Sequence, residues 1–472
     1  MQRFILIVSL CFMSTSIQAA ENPWVLMTQQ DLQGIHDILQ ENHPGPVDPE
    51  NHRYAQWLKD GLNLATTRAE SASSFSDYVR TLRHYTNGFQ DGHIGIALEV
   101  HPDDIVWPGF IIDQDFNGQP VVVAAEEDSG VSKDTKILAC DGQTIDALMS
   151  DRVDPYFWNS AIPHERYRNL SRLFYQDAQD SKRFQACTFS TGEVKLKWRR
   201  EDRNDFQKRI DSVHGSSSRE PEMKQVGEVW IISVPTLAYS GEEKVKKIRN
   251  LISEINTHQS ELRNSEVVFD VRGNHGGDSG WGEELAAALW GREWVDWVTS
   301  DFDNTVDWRA SKSNYTFMQS MVEREKKAGL ADQLAYVTKV RDAMKAALDS
   351  GTALARVEER PKKKEGSAPL NPIKGKIYFF TDGECASACL DFADVMRHLP
   401  NVVHVGLPTS ADAIYIDNTY TMLPSGLAGL GYSMKVFRNR VRGNNEWYEP
   451  QIRWPGGMMT DESIAKWIRS LK

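Results

Sequence analysis

The 472-residue sequence has no excess of positive charge and, beyond its first twenty residues, no long apolar run. Its 54 Lys and Arg residues are outnumbered by 66 Asp and Glu residues, for a formal net charge of −12. Nucleic acids and anionic membranes bind basic faces, so this charge argues against both as partners. Without a run of about 20 apolar residues, the mature chain has no candidate membrane segment. Small molecules, peptides and proteins remain.

Cysteine is also scarce. Apart from Cys11 in the apolar N-terminal run, the chain has Cys140, Cys187, Cys385 and Cys389. In an oxidising compartment Cys140 and Cys187 are candidates for a disulfide, although they are equally well free thiols. The other two have the i, i+4 spacing of one helix face, and we interpret them as small buried side chains. No second pair of ligands lies nearby, so we predict no metal and no cofactor.

The first twenty residues predict a secretory signal. A basic start at Arg3 precedes the apolar run Phe4–Met13, and small residues follow at Ala19 and Ala20. The run is too short to span a bilayer. We therefore assign residues 1–20 to a signal peptide and expect export to the periplasm or the outside of the cell.

The hydrophobic pattern changes twice along the mature chain. Residues 21–98 have apolar side chains at helical spacing, which predicts an N-terminal helical region. Residues 99–222 are β-rich, and 137–145 resemble the end of a PDZ-type module, as would any small β unit with an Asp-Gly turn. Residues 223–472 alternate apolar strands with helices, which indicates an α/β unit on a largely parallel sheet, with a charged helical insertion at about 305–370.

Two strand-to-helix turns of the last region form the candidate site, because active sites of parallel sheets lie beyond the carboxyl ends of the strands. The turn at 273–277 is rich in glycine, which exposes backbone amides for an oxyanion or simply permits a tight turn. It matches neither common phosphate-loop pattern, which argues against a nucleotide. The second turn places Ser387 between two alanines at a helix start, where serine is often only a cap.

The order of several segments resembles the tail-specific proteases, peptidase family S41. The segments are Asp91–Gly95, the PDZ-like run, Asp-Val-Arg-Gly-Asn-His-Gly-Gly at 270–277, Ala-Ser-Ala at 386–388, and Val405–Thr409. The glycine motif followed by the Ala-Ser-Ala helix start is more specific than either half alone. The resemblance implies a crotonase-like catalytic core and hydrolysis of peptide bonds by a serine nucleophile.

The resemblance implies a role for each turn. Ser387 would be the nucleophile, and the amide of Ala388 would be one donor of the oxyanion hole. The second donor would be the amide of Gly276 or of Gly277. His275, in the same turn, is either an alternative base, a substrate contact or, as we favour, a partly exposed turn residue.

The resemblance also implies the general base. The lysine-dependent branch of the family does not fit, because no lysine occurs from Ala388 to Met434. The histidine-dependent branch, which includes the tricorn core and the chlamydial protease-like factor, fits with His93 as the base. By chain order Glu446 would orient this histidine, and Glu449 is close enough to compete for that role.

Two other functions stay open at this point. A non-proteolytic ligand-binding protein on the same scaffold need not keep both nucleophile and base, whereas this chain has Ser387 and His93. An acyl-transferring enzyme needs a basic pocket for an anionic ligand, which an acidic chain does not favour. We therefore predict a secreted serine endopeptidase that acts on peptides or proteins; the sequence does not indicate its oligomeric state.

Overall fold

The structure is a computed structural model, and it describes residues 22–115, 118–177, 183–214, 219–302, 305–329, 331–358 and 366–471. The predicted signal peptide, residues 1–20, lies outside the described residues. Within those ranges, no helix is both long enough and apolar enough to cross a membrane. Helices and strands are mixed along the chain, which confirms the α/β class.

Helices fill the N-terminal part of the chain: α1 Pro23–Asn42, α2 His52–Ala69 and α3 Phe75–Asn87. Each begins after a polar residue whose side chain accepts a hydrogen bond from an amide of the first turn, namely Asn22, Asn51 and Ser74. Such caps satisfy amides that have no partner within the helix. The apolar faces of these helices share one core with a neighbouring sheet.

The following part of the chain has short strands and helices, and a 3-10 helix at Pro163–Leu173. They are β1 Gly95–Leu98, β2 Asp104–Trp107, β3 Phe110–Gln114, β4 Pro120–Ala125, β5 Ile137–Cys140, β6 Gln143–Thr144, α4 Ile145–Arg152, α5 Asp154–Phe157, β7 Gln176–Asp177, β8 Ala186–Phe189, β9 Gly192–Lys195, β10 Arg199–Asp202 and α6 Arg203–His214. Strands β5 and β8 pair antiparallel, and a disulfide joins Cys140 to Cys187 across them. Of the two alternatives that the sequence left open for these cysteines, the structure thus has the disulfide.

The C-terminal half contains the largest sheet. Its elements are β11 Glu222–Val226, β12 Val229–Ser233, α7 Glu242–Thr257, α8 Gln259–Leu262, β13 Glu266–Asp270, α9 Ser279–Trp290, α10 Arg292–Thr299, β14 Thr305–Arg309, α11 Lys312–Ala328, α12 Ala331–Ser350, β15 Leu354–Glu358, β16 Ile377–Thr381, α13 Ala388–His398, β17 Val402–Gly406, β18 Tyr415–Met422, β19 Ala428–Phe437, β20 Ile452–Arg453 and α14 Asp461–Ser470. The sheet order is β11-β12-β13-β16-β17-β20, and neighbours are parallel from β12 onward. Apolar clusters cover both faces, which explains the nearly continuous apolar strands.

A second sheet forms around β19, which pairs with β1, β14 and β18. The segment expected to be a helical insertion, residues 305–370, contains α11 and α12 but also β14 and β15, which pair with each other. Sequence reasoning missed these strands because they are short and partly polar, with Asp307 and Arg356 at paired positions. Strand β1 follows the His93 turn directly, so its pairing with β19 anchors the end of that turn to this sheet.

Candidate active site

The two predicted turns lie side by side, because they follow the adjacent parallel strands β13 and β16. Asp382 joins them: its carboxylate accepts hydrogen bonds from the amide of Gly273 at 2.9 Å and from the amide of Glu384 at 3.0 Å. Burial, and then the nearby Glu384 carboxylate, raise the pKa of Asp382 to about 6. The parallel sheet therefore brings both turns to one edge, as the sequence predicted.

The side chain of Asn274 holds the glycine turn in place. This buried side chain donates to the carbonyl oxygen of Val234 at 2.8 Å and accepts from the amide of Gly276 at 2.9 Å. The amide of Gly277, by contrast, makes no hydrogen bond within the described part of the chain. Of the two glycines considered as oxyanion donors, Gly277 is thus the one whose amide is available.

Ser387 has an unusual backbone conformation, with φ 54° and ψ −125° at the start of α13. A residue other than glycine in such a conformation costs about 1–3 kcal/mol, and such strain is concentrated at functional sites. The Ser387 side chain makes no capping hydrogen bond, so the structure contradicts the interpretation of this serine as a helix cap. The amide of Ala388, the next residue, makes no hydrogen bond among the described residues.

A disulfide joins Cys385 to Cys389 and encloses Ser387 between its two ends. The sequence interpretation of this pair as small buried side chains was incomplete, because both are fully buried and also bonded to each other. The turn before α13 brings the two sulfurs together, which spacing on an ideal helix does not indicate. The bond links the residue two before the serine to the residue two after it.

Buried and partly buried ion pairs hold helix α13 against the loop that follows β19. Asp391 pairs with Arg440 at 2.7 Å, and Asp394 pairs with Arg442 at 2.5 Å. Burial alone would raise the pKa of Asp391, but Arg440 and Arg442 outweigh it and hold that pKa well below its usual range. The start of α13, and with it Ser387, is therefore fixed from several sides.

Ser387 and His93 line the same cavity, which has a volume of about 870 Å³. Gly277 also lines it, together with residues from the start of α9, from β18 and from β19. Tyr336 of α12 forms part of the wall, so the insertion reaches the cavity. Residues from distant parts of the sequence thus meet around one space that is open to a substrate.

His93 lies in the turn between α3 and β1, with 11% of its side chain exposed. The carboxylate of Asp91 accepts from the His93 amide at 2.8 Å, and one of its oxygens is 3.7 Å from Nδ1 of the ring. Asn445 donates to the carbonyl oxygen of Gln90 at 2.8 Å and so ties this turn to the C-terminal part. Sequence reasoning quoted Asp91 only as part of the turn; an acidic residue two positions before a candidate base was the available signal.

The other predicted site residues lie farther from the ring. Glu446 is exposed, accepts from the amide of Gly443 at 2.6 Å and is not among the described residues that line the cavity. Glu449 forms an ion pair with Arg453 at 2.9 Å. His275 is 71% exposed in its side chain and pairs with Glu384 at 3.0 Å, away from the cavity lining.

A lysine does line the cavity, at Lys435 on β19. Its ammonium pairs with the carboxylate of Asp417 at 2.6 Å and lies over the rings of Trp308 and Phe437. The ammonium is therefore engaged by a carboxylate and by two aromatic faces. The structure therefore gives no support to a lysine-dependent site.

The 3-10 helix of the β-rich part touches the turn before Ser387. Arg168 donates to the carbonyl oxygen of Gly383 at 2.5 Å and pairs with the Glu384 carboxylate. His164 of the same helix approaches the carbonyl oxygen of Thr409 at 2.9 Å. These contacts connect the β-rich part to the nucleophile turn, which sequence reasoning did not predict.

Comparison with known proteins decides the family, because the model of peptidase family S41 matches residues 229–446. Residues 229–446 of the chain therefore belong to peptidase family S41. The chain is a serine-type peptidase, and the match includes both turns at the cavity. No curated protein sequence matches the chain significantly.

Several solved structures align with most of the chain. Mature CPAF has a TM-score of 0.59 and 13% identity, with 91% of this chain and 92% of that chain covered. Mature CPAF complexed with lactacystin gives a TM-score of 0.59 and 13% identity, with 91% and 94% covered. The photosystem II D1 C-terminal processing protease gives a TM-score of 0.37 and 10% identity, with 90% and 93% covered. At such identities the likeness to CPAF shows a shared fold.

Proposed function

We propose that this S41 peptidase is a secreted serine endopeptidase in which Ser387 attacks the peptide bond and His93 is the general base. The observation that carries the proposal is that Ser387, with a hydroxyl free of any cap, shares a cavity with His93 and with the free amide of Gly277. A serine hydroxyl is a weak nucleophile until an imidazole takes its proton. This geometry supports an acyl-transfer reaction with these groups as nucleophile, base and oxyanion donor.

The reaction follows from these positions. His93 removes the hydroxyl proton while Ser387 Oγ bonds to the carbonyl carbon, and the amides of Ala388 and Gly277 bind the resulting oxyanion. His93 then gives the proton to the leaving amine, which departs as the acyl-enzyme forms. A water molecule, activated by the same imidazole, releases the acyl group and restores Ser387.

Secretion and substrate class are part of the proposal. The predicted signal at residues 1–20 and the two disulfides favour an oxidising compartment, because disulfides are rare in the cytosol. The PDZ-like expectation for the β-rich part favours recognition of an extended peptide segment or a chain terminus. Arg168 gives that part a direct contact with the nucleophile turn. We therefore propose unfolded or extended polypeptide as the substrate.

Labelling with a serine-directed fluorophosphonate tests the nucleophile and the base together. We expect an adduct on Ser387 in the wild type, because this serine is activated by His93. His93→Ala should slow labelling by about 100-fold or more, since a positioned base contributes that much to proton transfer. His275→Ala should label at the wild-type rate, because His275 is exposed and pairs with Glu384.

The adduct is located by mass spectrometry of proteolytic fragments, and folding is checked by circular dichroism. A folded wild-type protein without an adduct on Ser387 would contradict the proposed nucleophile. Equal rates in the wild type and in His93→Ala would show that another group is the base. Slow labelling of His275→Ala, with a normal rate for His93→Ala, would show that His275 is the general base.

From the family resemblance, Glu446 is proposed as a further carboxylate of the site. We expect Glu446→Gln to lower kcat by about 10-fold, because a carboxylate of a serine triad stabilises the imidazolium that forms during proton transfer. Glu449→Gln is the matched control and should leave kcat unchanged, because Glu449 pairs with Arg453. Steady-state hydrolysis of a peptide substrate measures both. If neither variant lowers kcat, the carboxylate that acts on His93 is another residue.

A further inference from the structure

The ring of His93 has a buried nitrogen that lacks a hydrogen-bond partner. Nδ1 makes no hydrogen bond within the described part of the chain, and the nearest carboxylate is that of Asp91, with Oδ1 at 3.7 Å. Buried polar atoms are rarely left unpaired. Catalytic hydrogen bonds are often long in the unliganded state and shorten when substrate binds. A small movement of the ring would bring Nδ1 within reach of Asp91.

A second histidine, His43, lies next to the other oxygen of Asp91. Its Oδ2 is buried without a hydrogen-bond partner among the described residues and lies 3.7 Å from Nε2 of His43. His43 Nδ1 accepts from the amide of Gly45 at 2.9 Å, so the proton of the neutral ring is on Nε2, which faces Asp91. Burial lowers the pKa of His43, which keeps that ring neutral.

The surroundings fix the His43 ring in place. It is fully buried and stacks on the ring of Tyr54, with centroids 4.6 Å apart and planes 6° from parallel. Only 3% of the Asp91 side chain is exposed. The two oxygens of this carboxylate therefore face two imidazoles, one toward the interior and one at the cavity.

We propose that Asp91 is the positioning residue for His93 and that His43 holds Asp91 in place. Asp91 orients the His93 ring, and its charge stabilises the imidazolium that forms when the proton of Ser387 is transferred. This inference rests on the proposed function, in which His93 is the base. A buried charge acts more strongly than an exposed one, so Asp91 outweighs the exposed Glu446.

Other titratable groups surround His43, Asp91 and His93. On the interior side, the charge of Asp48 acts on His43. Tyr54 and Tyr415 both lie close enough to Asp91 for its charge to act on them. On the cavity side the charged lining residues are Asp278, Glu283, Asp391, Asp394, Asp417, Lys435 and Arg440. Asp391 and Asp394 are paired with arginines, and Asp417 is paired with Lys435. Among the described residues, Asp91 is the carboxylate with an oxygen within 4 Å of His93 Nδ1.

Asp91→Asn is the test, because asparagine can still accept from the His93 amide but carries no charge. We expect kcat to fall by about 100-fold or more with KM nearly unchanged. The acid limb of the pH profile of kcat/KM should move to lower pH by about 1 unit, since the charge that favours the imidazolium is removed. Asp91→Glu should restore part of the activity and return the limb toward its wild-type position.

Asp31→Asn is the matched control. Asp31 is also buried in the helical part, but it accepts from the hydroxyls of Tyr78 and Ser425 rather than facing His93. We expect Asp31→Asn to lower the melting temperature and to leave the acid limb in place. His43→Gln should lower kcat by about 10-fold and move the limb in the same direction as Asp91→Asn.

The outcomes separate the inference from the function on which it rests. If Ser387→Ala and His93→Ala are inactive but Asp91→Asn keeps both kcat and the acid limb, the inference is overturned and the peptidase mechanism stands. If Ser387→Ala keeps wild-type activity, the proposed function itself is wrong. Should Asp91→Asn fail to fold, His43→Gln decides: a shifted limb supports the role of Asp91, and an unshifted limb overturns it.

Discussion

Ser387→Ala is expected to lower kcat for peptide hydrolysis by about 10⁴-fold or more, because removing the nucleophile of a serine hydrolase leaves only binding and the oxyanion hole. The fold should not change. The Ser387 hydroxyl makes no capping bond, and alanine meets the same positive φ of 54° that serine already tolerates. Hydrolysis of a denatured protein and thermal melting measure the two effects separately.

A second serine, Ser74, provides a control with the opposite expected result. Ser74 caps α3, and its hydroxyl accepts from the amide of Asp77 at 3.1 Å. Ser74→Ala should lower the stability by about 1 kcal/mol and keep activity, since a lost N-cap costs that much. Retained hydrolysis in Ser387→Ala, or a large loss of stability in it, would show that this serine has a structural role instead.

The parallel sheet could be predicted from the sequence because its strands are nearly continuous apolar runs, such as Val267–Val271. The strands β14 and β15 could not, because their pairing with each other and with β19 depends on contacts between distant parts of the chain. Short strands with charged residues have too little periodicity to be distinguished from the ends of neighbouring helices.

The site shows the same division between local pattern and long-range contact. Ser387 and His93 were predicted from motifs that resemble a family, and the structure places both at one cavity. The choice between Gly276 and Gly277 needed the structure, because it depends on a bond from one of these amides to the Asn274 side chain. The proposed role of Asp91 could not be predicted from the sequence for the same reason, since its neighbour His43 lies about 50 residues earlier in the chain, at the end of α1.

The bond between Cys385 and Cys389 was missed for a different reason. An i, i+4 pair on an ideal helix points along one face, and that geometry suggested packing rather than a bond. The strained Ser387 interrupts the helix at its start, so Cys385 belongs to the turn and Cys389 to the helix. A positive φ at a serine is a property of the folded chain that spacing does not reveal.

Gly276→Ala is expected to lower kcat by about 100-fold or more, because the new methyl group would displace the amide of Ala388, a proposed donor of the oxyanion hole. A Cβ at this position would lie 2.7 Å from the carbonyl oxygen of Ala386, 2.8 Å from the amide nitrogen of Ala388 and 2.9 Å from Cβ of Ser387. These neighbours are backbone or the first side-chain atom, so they can give way only if the nucleophile turn moves. The backbone at Gly276 also has φ +97°, which adds strain.

Gly273→Ala is the matched control in the same turn. Gly273 has φ +76°, but a Cβ there would meet no atom within 4 Å. Its replacement should therefore cost about 1 kcal/mol of stability, as expected for an L-residue in the left-handed region, and leave kcat near the wild-type value. Melting curves of both variants measure the cost of backbone strain, and steady-state kinetics measure the effect of the steric contact on kcat. Equal kcat values would show that the amide of Ala388 does not bind the oxyanion in this geometry, because both methyl groups lie at a positive φ but only the one at position 276 would touch the nucleophile turn.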